Sequence, residues 1–344
     1  MKVECLDNID VVILWVDGED PEWISIYNKF ADLKKSKSER FRDWDTIRYV
    51  FRGIEKFMPW VRNIHFVTCG QKPLWMVDLH PKLKFVSHED IFPDPSVLPV
   101  FNASAIEMNL ANVPNIADKF IYFNDDTLVL QDTPVNRFFE NNLPVDFLIQ
   151  SMPRRGWLYE KLRKPDSWPF MIMNSVNVAN DICTKEQLLL NKPEAFYSKY
   201  YPLSSRIKNM IYNHIFDDFR AFEHFHHPQS YLKSTLVKIN EVYGDQVKST
   251  ISSRFRHRTN LSQAVFRYAQ LVTGCFIPKY YHDHACINVD SVAKAKLCAD
   301  AITSHRFVCV NDKMRDTETE YEYCRTLVID SLNKILPEKS SFEK

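Results

Sequence analysis

The chain has 344 residues, which suits one large domain or two lobes, and 45% of them are hydrophobic, enough for a sizeable core. Its 44 Lys and Arg residues balance its 44 Asp and Glu residues, which argues against a dedicated nucleic-acid-binding protein. Only 6 Gly residues are present, and no P-loop or GxGxxG motif occurs, so a glycine-rich phosphate loop is not expected.

The 8 Cys residues are dispersed and form no CxxC pair. This distribution is more typical of reduced thiols in a cytosolic protein than of a disulfide scaffold or a zinc ribbon. The first eight residues are too polar for a secretory signal, and no apolar stretch approaches the length that spans a bilayer. We therefore expect a cytoplasmic protein with no transmembrane segment, either free or held peripherally at the inner face of the cell membrane.

The N-terminal part alternates between strand and helix patterns. Residues 9–16 form an apolar run that predicts a buried strand. A helix is expected to begin at Pro21, and a second helix, capped by Asp43, shows apolar residues at 3.6-residue spacing. Further strands are predicted at residues 63–69 and 84–87. This order predicts an α/β fold with a Rossmann-like, mostly parallel sheet.

A pair of carboxylates follows another apolar run. Residues 120–123 lead directly into Asn124, Asp125 and Asp126. Adjacent carboxylates are tolerated most easily when solvent or a cation lies between them, and ligands of open α/β sheets bind at the carboxyl ends of strands. The pattern therefore indicates a metal-assisted site for a phosphorylated ligand. An ordinary Asn-Asp turn between two strands would explain the same residues.

A second strand end repeats this arrangement. Residues 307–310 are apolar and lead into Asn311 and Asp312. Two such ends in one sheet could converge on one cation.

The middle of the chain has a different pattern. Helices are predicted at residues 184–200 and 203–216, so we expect a helical lobe at residues 141–220. This lobe would be inserted between an N-terminal half of the catalytic core, residues 1–140, and a C-terminal half, residues 221–344.

The basic and aromatic residues between 152 and 170 could bind a sugar polymer or phosphates. An ordinary surface loop explains Arg154 and its basic neighbours equally well.

A histidine cluster precedes a predicted helix. His226 and His227 stand before Pro228, a residue that suits the first turn of a helix. A histidine at this place can point into a cleft and act as a general base near neutral pH. A zinc site with His224 or with residues 282–284 is the alternative, although the spacing matches no recognised zinc finger.

Two groups of arginines could bind phosphate. Arg254, Arg256 and Arg258 precede a predicted helix, where they could clamp a phosphate or merely flank the helix as solvated charges. Arg48 and Arg52 lie one helical turn apart, and periodicity alone favours a solvated basic edge for them.

Several motifs together resemble the Stealth family. The first conserved block of that family is similar to residues 9–21, the second to residues 48–61, 64–71, 101–107 and 120–126, the third to the segment that starts at residues 226–228, and the fourth to residues 307–312 and 336–343. The resemblance follows the order of the chain over nearly its whole length.

The Stealth family comprises bacterial capsular and exopolysaccharide phosphotransferases and the animal enzyme that adds N-acetylglucosamine phosphate to lysosomal glycoproteins. The resemblance implies transfer of a hexose 1-phosphate from a nucleotide-sugar donor, UDP-linked, to a hydroxyl of an oligosaccharide or polysaccharide acceptor, free or lipid-linked. The product would be a phosphodiester and UMP would leave. The resemblance also implies a Rossmann-like core and a divalent cation, Mg²⁺ or Mn²⁺. The small size favours the bacterial type.

The resemblance also implies roles for individual residues. The predicted metal ligands are Asp125, Asp126, Asn311 and Asp312. The residues predicted to bind the donor are Trp15, Asp17, Arg48, Asn102 and Asn124. His226 would accept the proton of the acceptor hydroxyl, with His227 as the alternative base, and Arg256 would bind phosphate bidentately.

Two other functions stay open at this point. A metal-dependent glycosyltransferase would use a similar acidic strand end, but it would attack the sugar carbon and release UDP. A glycan-binding protein without catalytic activity is the third interpretation.

Overall fold

The computed structural model of the protein describes residues 8–31, 44–153, 160–161, 167–314 and 318–344. The strands are β1 (Ile9–Leu14), β2 (Ile64–Thr68), β3 (Leu83–Ser87), β4 (Lys119–Asn124), β5 (Thr127–Val129), β6 (Phe139–Glu140), β7 (Leu143–Asp146), β8 (Gln229–Leu232), β9 (Ile277–Pro278), β10 (His284–Val289) and β11 (Phe307–Asp312). The helices are α1 (Pro21–Phe30), α2 (Ile47–Phe57), α3 (His88–Ile91), α4 (Ala103–Glu107), α5 (Trp168–Ile182), α6 (Lys185–Asn191), α7 (Glu194–Tyr197), α8 (Leu203–Ile215), α9 (Lys233–Val242), α10 (Gly244–Ile251), α11 (Ala264–Val272), α12 (Val292–Ser304) and α13 (Glu318–Ile335).

A five-stranded sheet forms the centre of the fold, in the order β3-β2-β1-β4-β8. Its first four strands are parallel, and β8 runs antiparallel to β4. Helices α5 to α8 come between β7 and β8 in the chain. The predicted α/β fold, with a Rossmann-like, mostly parallel sheet and an inserted helical lobe, is therefore confirmed.

Both faces of the central sheet are buried, which explains the apolar run of β1. Val11 and Ile13 pack in the same hydrophobic cluster as residues of α2 and α13. Val12 and Tyr122 pack on the other face, with residues of α9 and α11. A strand covered on both faces loses the alternation of apolar and polar residues, so its sequence becomes a continuous apolar run.

A second, three-stranded sheet adjoins the first, in the order β10-β11-β5. Strand β11 is parallel to β10 and antiparallel to β5. The chain passes from β4 of the first sheet to β5 of the second through a turn at residues 125–126. This turn therefore joins the two sheets.

Several predicted boundaries were wrong. Pro228 was expected in the first turn of a helix, but residues 229–232 form β8 and α9 begins at Lys233. Pairing with β4 satisfies the backbone of this segment, and tertiary pairing of this kind overrides local helical periodicity. The predicted cap Asp43 lies outside the described residues, and α2 follows Thr46.

Among the described helices, none is both long and apolar enough to cross a bilayer.

A buried carboxylate ties β1 to its neighbours. Asp10 is fully buried, and Arg62 donates to it at 2.8 and 2.6 Å. His65 Nε2 lies 3.0 Å from the same carboxylate, and the Ala117 N–H donates to it at 2.8 Å. Burial acts to raise the pKa of Asp10, but these hydrogen bonds outweigh it and lower the pKa to about 2.

The Asp10 network predicts a defined loss of stability in acid. The pKa of Asp10 in the folded protein, about 2, lies below its ordinary value of 3.8, so the unfolded chain takes up the proton first. The ionised carboxylate should add on the order of 2 kcal/mol to the free energy of unfolding above about pH 4, and this contribution should disappear as the pH falls toward about 2. Urea unfolding at stepped pH should show a shallower acid loss for Asp10→Asn than for the wild type. Parallel curves for the two proteins would contradict this prediction.

Candidate active site at the junction of two sheets

A cleft of about 1340 Å³ opens beyond the carboxyl ends of β1 and β4. This is the edge at which ligands of open α/β sheets bind. Nine of the predicted site residues line it, namely Trp15, Asn102, Asn124, Asp125, Asp126, His226, Arg256, Asn311 and Asp312. The cleft therefore brings together residues from six separate places in the sequence.

The acidic turn is fixed from two sides. The backbone N–H of Val310, in β11, donates to the backbone oxygen of Asp126 at 2.9 Å. On the Asp126 side chain, Oδ1 accepts from Thr127 Oγ1 at 3.2 Å and Oδ2 accepts from Cys309 Sγ at 3.2 Å. Residues 124–127 do connect two strands, as the alternative interpretation required, and both carboxylates also line the cleft.

His226 lies between the two strand ends. Its Nε2 is 2.9 Å from Asn124 Nδ2, and its Nδ1 is 2.7 Å from Cys309 Sγ and 4.0 Å from Asp126 Oδ2. Its side chain is 39% exposed, so a bound ligand can contact it. Burial acts to lower the pKa of His226, but the charge of Asp126 and a hydrogen bond with Cys286 raise it to about 9.

Two thiols, those of Cys286 and Cys309, lie beside His226. The sequence analysis did not predict that they would be there. Cys286 of β10 and Cys309 of β11 are paired in register. Their sulfur atoms and a ring nitrogen of His226 all lie within 4.8 Å of one another. The hydrogen bond with Cys309 is the main cause that lowers the pKa of Cys286 to about 5, and burial raises that of Cys309. These contacts therefore favour the ionised form of Cys286 over that of Cys309.

A signal for this pair was present in the sequence. Cys286 stands two residues before Asn288, and Cys309 stands two residues before Asn311. The repeated Cys-X-Asn spacing marks equivalent places on two strands. Because the two cysteines are far apart in the chain, a search for closely spaced pairs such as CxxC does not find them.

The alternative base, His227, has different surroundings. Its Nδ1 lies 2.7 Å from the oxygen of Pro228, and its ring contacts the ring of His284 at a centroid distance of 5.3 Å. Burial, followed by the positive charge of Arg137, lowers its pKa well below the usual value. His227 is absent from the described residues that line the cleft. The choice between the two histidines as base stays a prediction.

Oxygen donors suited to a hard cation also line the cleft. They come from Asp125, Asp126, Asn311 and Asp312, and Mg²⁺ and Mn²⁺ prefer such oxygen ligands. Asn311 Nδ2 donates to Asn288 Oδ1 at 2.6 Å. This contact uses the side-chain nitrogen of Asn311 and not its side-chain oxygen. This set of oxygen ligands therefore fits a divalent cation.

Trp15 and Asn102, both predicted to bind the donor, border the cleft. Trp15 follows β1 and stacks on Phe66 at a centroid distance of 5.5 Å. Asn102 is fully buried and caps α4, because its Oδ1 accepts from the Ser104 N–H at 3.2 Å. Its Nδ2 donates to the Ser253 backbone oxygen at 3.0 Å, so Asn102 also fixes the segment that leads to Arg256.

Asp17 and Arg48 do not appear among the described residues that line the cleft. Asp17 Oδ1 accepts from the Glu19 N–H at 2.9 Å. Arg48 lies 3.6 Å from Asp45 and 5.2 Å from the ring centre of Trp75. Their roles in donor binding stay predictions.

Arg256 is the arginine of its group that reaches the cleft. Arg254 donates to the Pro99 oxygen at 2.9 Å, and the Arg258 guanidinium lies 4.3 Å from the ring centre of Phe170. Arg256 borders the cleft near Glu107. Burial raises the pKa of Glu107, and the positive charge of Arg256 opposes this effect.

Part of the basic, aromatic segment can be placed. Trp168, at the start of α5, lines the cleft and lies 5.9 Å from the His224 ring. Arg154 and Arg155 lie outside the described residues, as do Arg163 and Lys164. The proposed acceptor role of this segment stays a prediction.

The comparisons with known proteins agree on one family. Stealth protein CR2, conserved region 2, matches residues 40–146. The capsular polysaccharide phosphotransferase WcwK of Streptococcus pneumoniae is 32% identical, and the alignment covers 98% of this chain and 99% of that protein. The exopolysaccharide phosphotransferase cps2G of Lactiplantibacillus plantarum is 31% identical over 98% of this chain and 96% of its own.

A solved structure of the galactosyltransferase LgtC, in complex with donor and acceptor sugar analogs, aligns with 95% of this chain and 96% of its own at a TM-score of 0.36 and 9% identity. The full-length sequence matches to WcwK and cps2G carry the assignment. The chain belongs to the Stealth family of polysaccharide phosphotransferases.

Proposed function

We propose that this protein transfers a hexose 1-phosphate from a UDP-linked sugar to a hydroxyl of an oligosaccharide or polysaccharide during capsule or exopolysaccharide synthesis. The names of its relatives, capsular and exopolysaccharide phosphotransferases, support this reaction class. The observation that carries the proposal is the position of His226, 2.9 Å from Asn124 beside the acidic turn, in a cleft that Arg256 also lines.

The bonds change as follows in this reaction. The acceptor oxygen attacks the β-phosphorus of the donor, and the bond from that phosphorus to the oxygen bridging the two phosphates breaks. UMP leaves with the bridging oxygen, and the acceptor proton passes to the enzyme. Such a transfer depends on positioning and on neutralisation of phosphate charge more than on covalent help from the protein.

His226 is the proposed proton acceptor. Its 39% exposed side chain borders the cleft, and Asn124 and Cys309 on either side fix the orientation of its ring. An imidazole accepts a proton only in its neutral form. Because the charge of Asp126 raises the pKa of His226 to about 9, that charge must be compensated before His226 can act as a base near neutral pH.

A divalent cation, Mg²⁺ or Mn²⁺, would be held by oxygen atoms of Asp125, Asp126, Asn311 and Asp312. When bound, it would neutralise charge on the donor diphosphate and on these carboxylates. Arg256 would bind phosphate oxygens through its planar guanidinium, while Trp15 and Asn124 would border the bound donor.

The first test measures which nucleotide is released and whether its release depends on His226. Purified protein with Mg²⁺, a panel of UDP-sugars and a glycan acceptor should release UMP, measured by ion-exchange chromatography. His226→Ala should lower kcat about 10²- to 10⁴-fold, because it removes the proton acceptor. His282→Ala, an exposed histidine outside the cleft lining, is the matched control and should stay near the wild-type rate.

Release of UDP in place of UMP would support the glycosyltransferase instead. Near-normal turnover of His226→Ala, with loss of turnover in His227→Ala, would show that the base is His227. Full glycan binding with no turnover of any donor would favour a non-catalytic protein.

The second test concerns phosphate binding. Arg256→Lys keeps the charge but loses the bidentate geometry, so kcat/KM for the UDP-sugar should fall about 10- to 100-fold. Arg258→Lys, whose guanidinium lies on Phe170, should change kcat/KM by no more than about twofold. Equal effects of the two variants would rule out a specific phosphate contact at Arg256.

A further inference from the structure

Two sulfur atoms and a ring nitrogen form a compact group at the cleft. The sulfur atoms of Cys286 and Cys309 and a ring nitrogen of His226 all lie within 4.8 Å of one another, and we call these three residues the thiol–histidine group. His226 Nδ1 is 2.7 Å from Cys309 Sγ. A tetrahedral Zn²⁺ ion holds its sulfur and nitrogen ligands about 3.5 to 3.8 Å apart, so small side-chain movements would let these atoms share one ion.

Paired strands hold the thiol–histidine group in place. Cys286 of β10 and Cys309 of β11 are paired in register, so their side chains leave the same face of the second sheet. On its other side, β11 pairs with β5, where Cys309 is opposite Thr127. The ring of His226 is oriented by Asn124, whose Nδ2 lies 2.9 Å from Nε2. The fold thus brings the three ligand atoms together before any ion binds, as a selective metal site requires.

An ion can reach the thiol–histidine group from the cleft. Cys286 is exposed, His226 is partly exposed, and both line the cleft, whereas Cys309 is buried. Asp126 also lines the cleft, and its Oδ2 lies 3.2 Å from Cys309 Sγ and 4.0 Å from His226 Nδ1. This carboxylate, or a water from the cleft, can therefore fill the fourth position of a tetrahedral ion.

We propose that Cys286, Cys309 and His226 bind one Zn²⁺ ion, and that this ion inhibits the enzyme. Thiolate sulfur and imidazole nitrogen favour zinc over Mg²⁺ and Mn²⁺, which prefer oxygen ligands. Each thiol that binds the ion gives its proton to solvent, and two thiolates with Zn²⁺ have no net charge, which offsets the cost of a charged sulfur at a buried position. The group differs from the zinc site considered from the sequence, since it contains neither His224 nor residues 282–284.

The inhibitory effect follows from the role of His226 and rests on the proposed function. Coordination uses the lone pair of Nδ1, so the ring proton must be on Nε2. There, a half-turn of the Asn124 amide would offer its oxygen as the acceptor. A ring bound in this way has no lone pair left for the proton of the acceptor hydroxyl. Zinc would therefore remove the proposed base without displacing it.

Cobalt binding by the metal-free full chain tests the site without donor or acceptor. The protein is kept reduced by a phosphine, and excess Mg²⁺ is present to fill the oxygen ligands of the cleft. Co²⁺ should give the strong visible bands of a tetrahedral site and sulfur-to-cobalt charge-transfer absorption in the near ultraviolet, and Zn²⁺ should displace it. Cys286→Ser should lower the zinc affinity at least about 100-fold, because a hydroxyl replaces a thiolate ligand.

Cys69→Ser is the matched control for zinc binding. Cys69 is also exposed and lines the cleft, but its Sγ donates to Gln71 Oε1 at 3.3 Å. This variant should keep the wild-type zinc affinity within about twofold. His226→Ala removes a different ligand and keeps the test valid if Cys286→Ser fails to fold. It too should weaken zinc binding, while part of the sulfur-to-cobalt absorption remains.

Two results would overturn the zinc site. One is a wild-type protein without sulfur-to-cobalt absorption, and the other is equal zinc affinity of Cys286→Ser and Cys69→Ser. Loss of both thiols to a disulfide in air, with no zinc uptake by the reduced protein, would assign the pair to redox chemistry instead.

UMP release with excess Mg²⁺ is measured separately. One equivalent of Zn²⁺ should lower the wild-type rate at least about 100-fold, as loss of a general base does, and a zinc-selective chelator should restore it. Cys286→Ser, compared with its own zinc-free rate, should need about 100-fold more Zn²⁺ for the same inhibition. Tight zinc binding with unchanged UMP release would overturn the inhibitory role. Zinc binding by a protein that never releases UMP would refute the phosphotransfer and leave the zinc site standing.

Discussion

The passage of the chain from β4 into β5 is the constraint on which the candidate site depends. Strand β4 is paired on both sides within the central sheet, and β5 pairs with β11 in the second sheet. The turn at residues 125–126 therefore cannot move without disturbing both sheets. The hydrogen bond from the Val310 N–H to the Asp126 oxygen adds a further restraint. Two carboxylates that repel each other are thus held at one place by pairing elsewhere.

The charges at this junction explain why the pKa values of its side chains depend on one another. The negative charge of Asp126 raises the pKa of His226, and hydrogen bonding within the group lowers the pKa of Cys286. Cys309 connects them, since its sulfur lies 2.7 Å from His226 Nδ1 and 3.2 Å from Asp126 Oδ2. The proton affinity of His226 therefore depends on what neutralises Asp126. Ligand binding at the carboxylates and proton transfer at the histidine would be linked.

The sequence predicted the central sheet because its strands are buried on both faces and their apolar runs are continuous. It also predicted that the strand ends at Asn124 and Asn311 could converge, but it placed both ends in one sheet, whereas β4 and β11 belong to two sheets that meet at the cleft. The pairing of Cys286 with Cys309 could not be predicted in this way. It depends on the register of β10 against β11, which long-range packing sets.

Local sequence patterns could not predict two other features, because these also depend on long-range packing. The periodicity around Tyr231 suits a helix, but the free edge of β4 recruits the segment as a strand. In α8, the apolar spacing predicts a helix correctly, yet spacing alone does not tell which face turns inward. Here hydrogen bonds of Asn209 and Asn213 decide the orientation.

The fate of the β-phosphorus tests the central claim most directly. A UDP-sugar that carries ³²P only at the β-phosphate would be incubated with the protein, Mg²⁺ and a glycan acceptor, and the nucleotide and glycan fractions would then be separated. Phosphotransfer predicts that the label enters the glycan and that the released UMP is unlabelled. Label retained in UDP, with an unlabelled sugar on the glycan, would contradict the account.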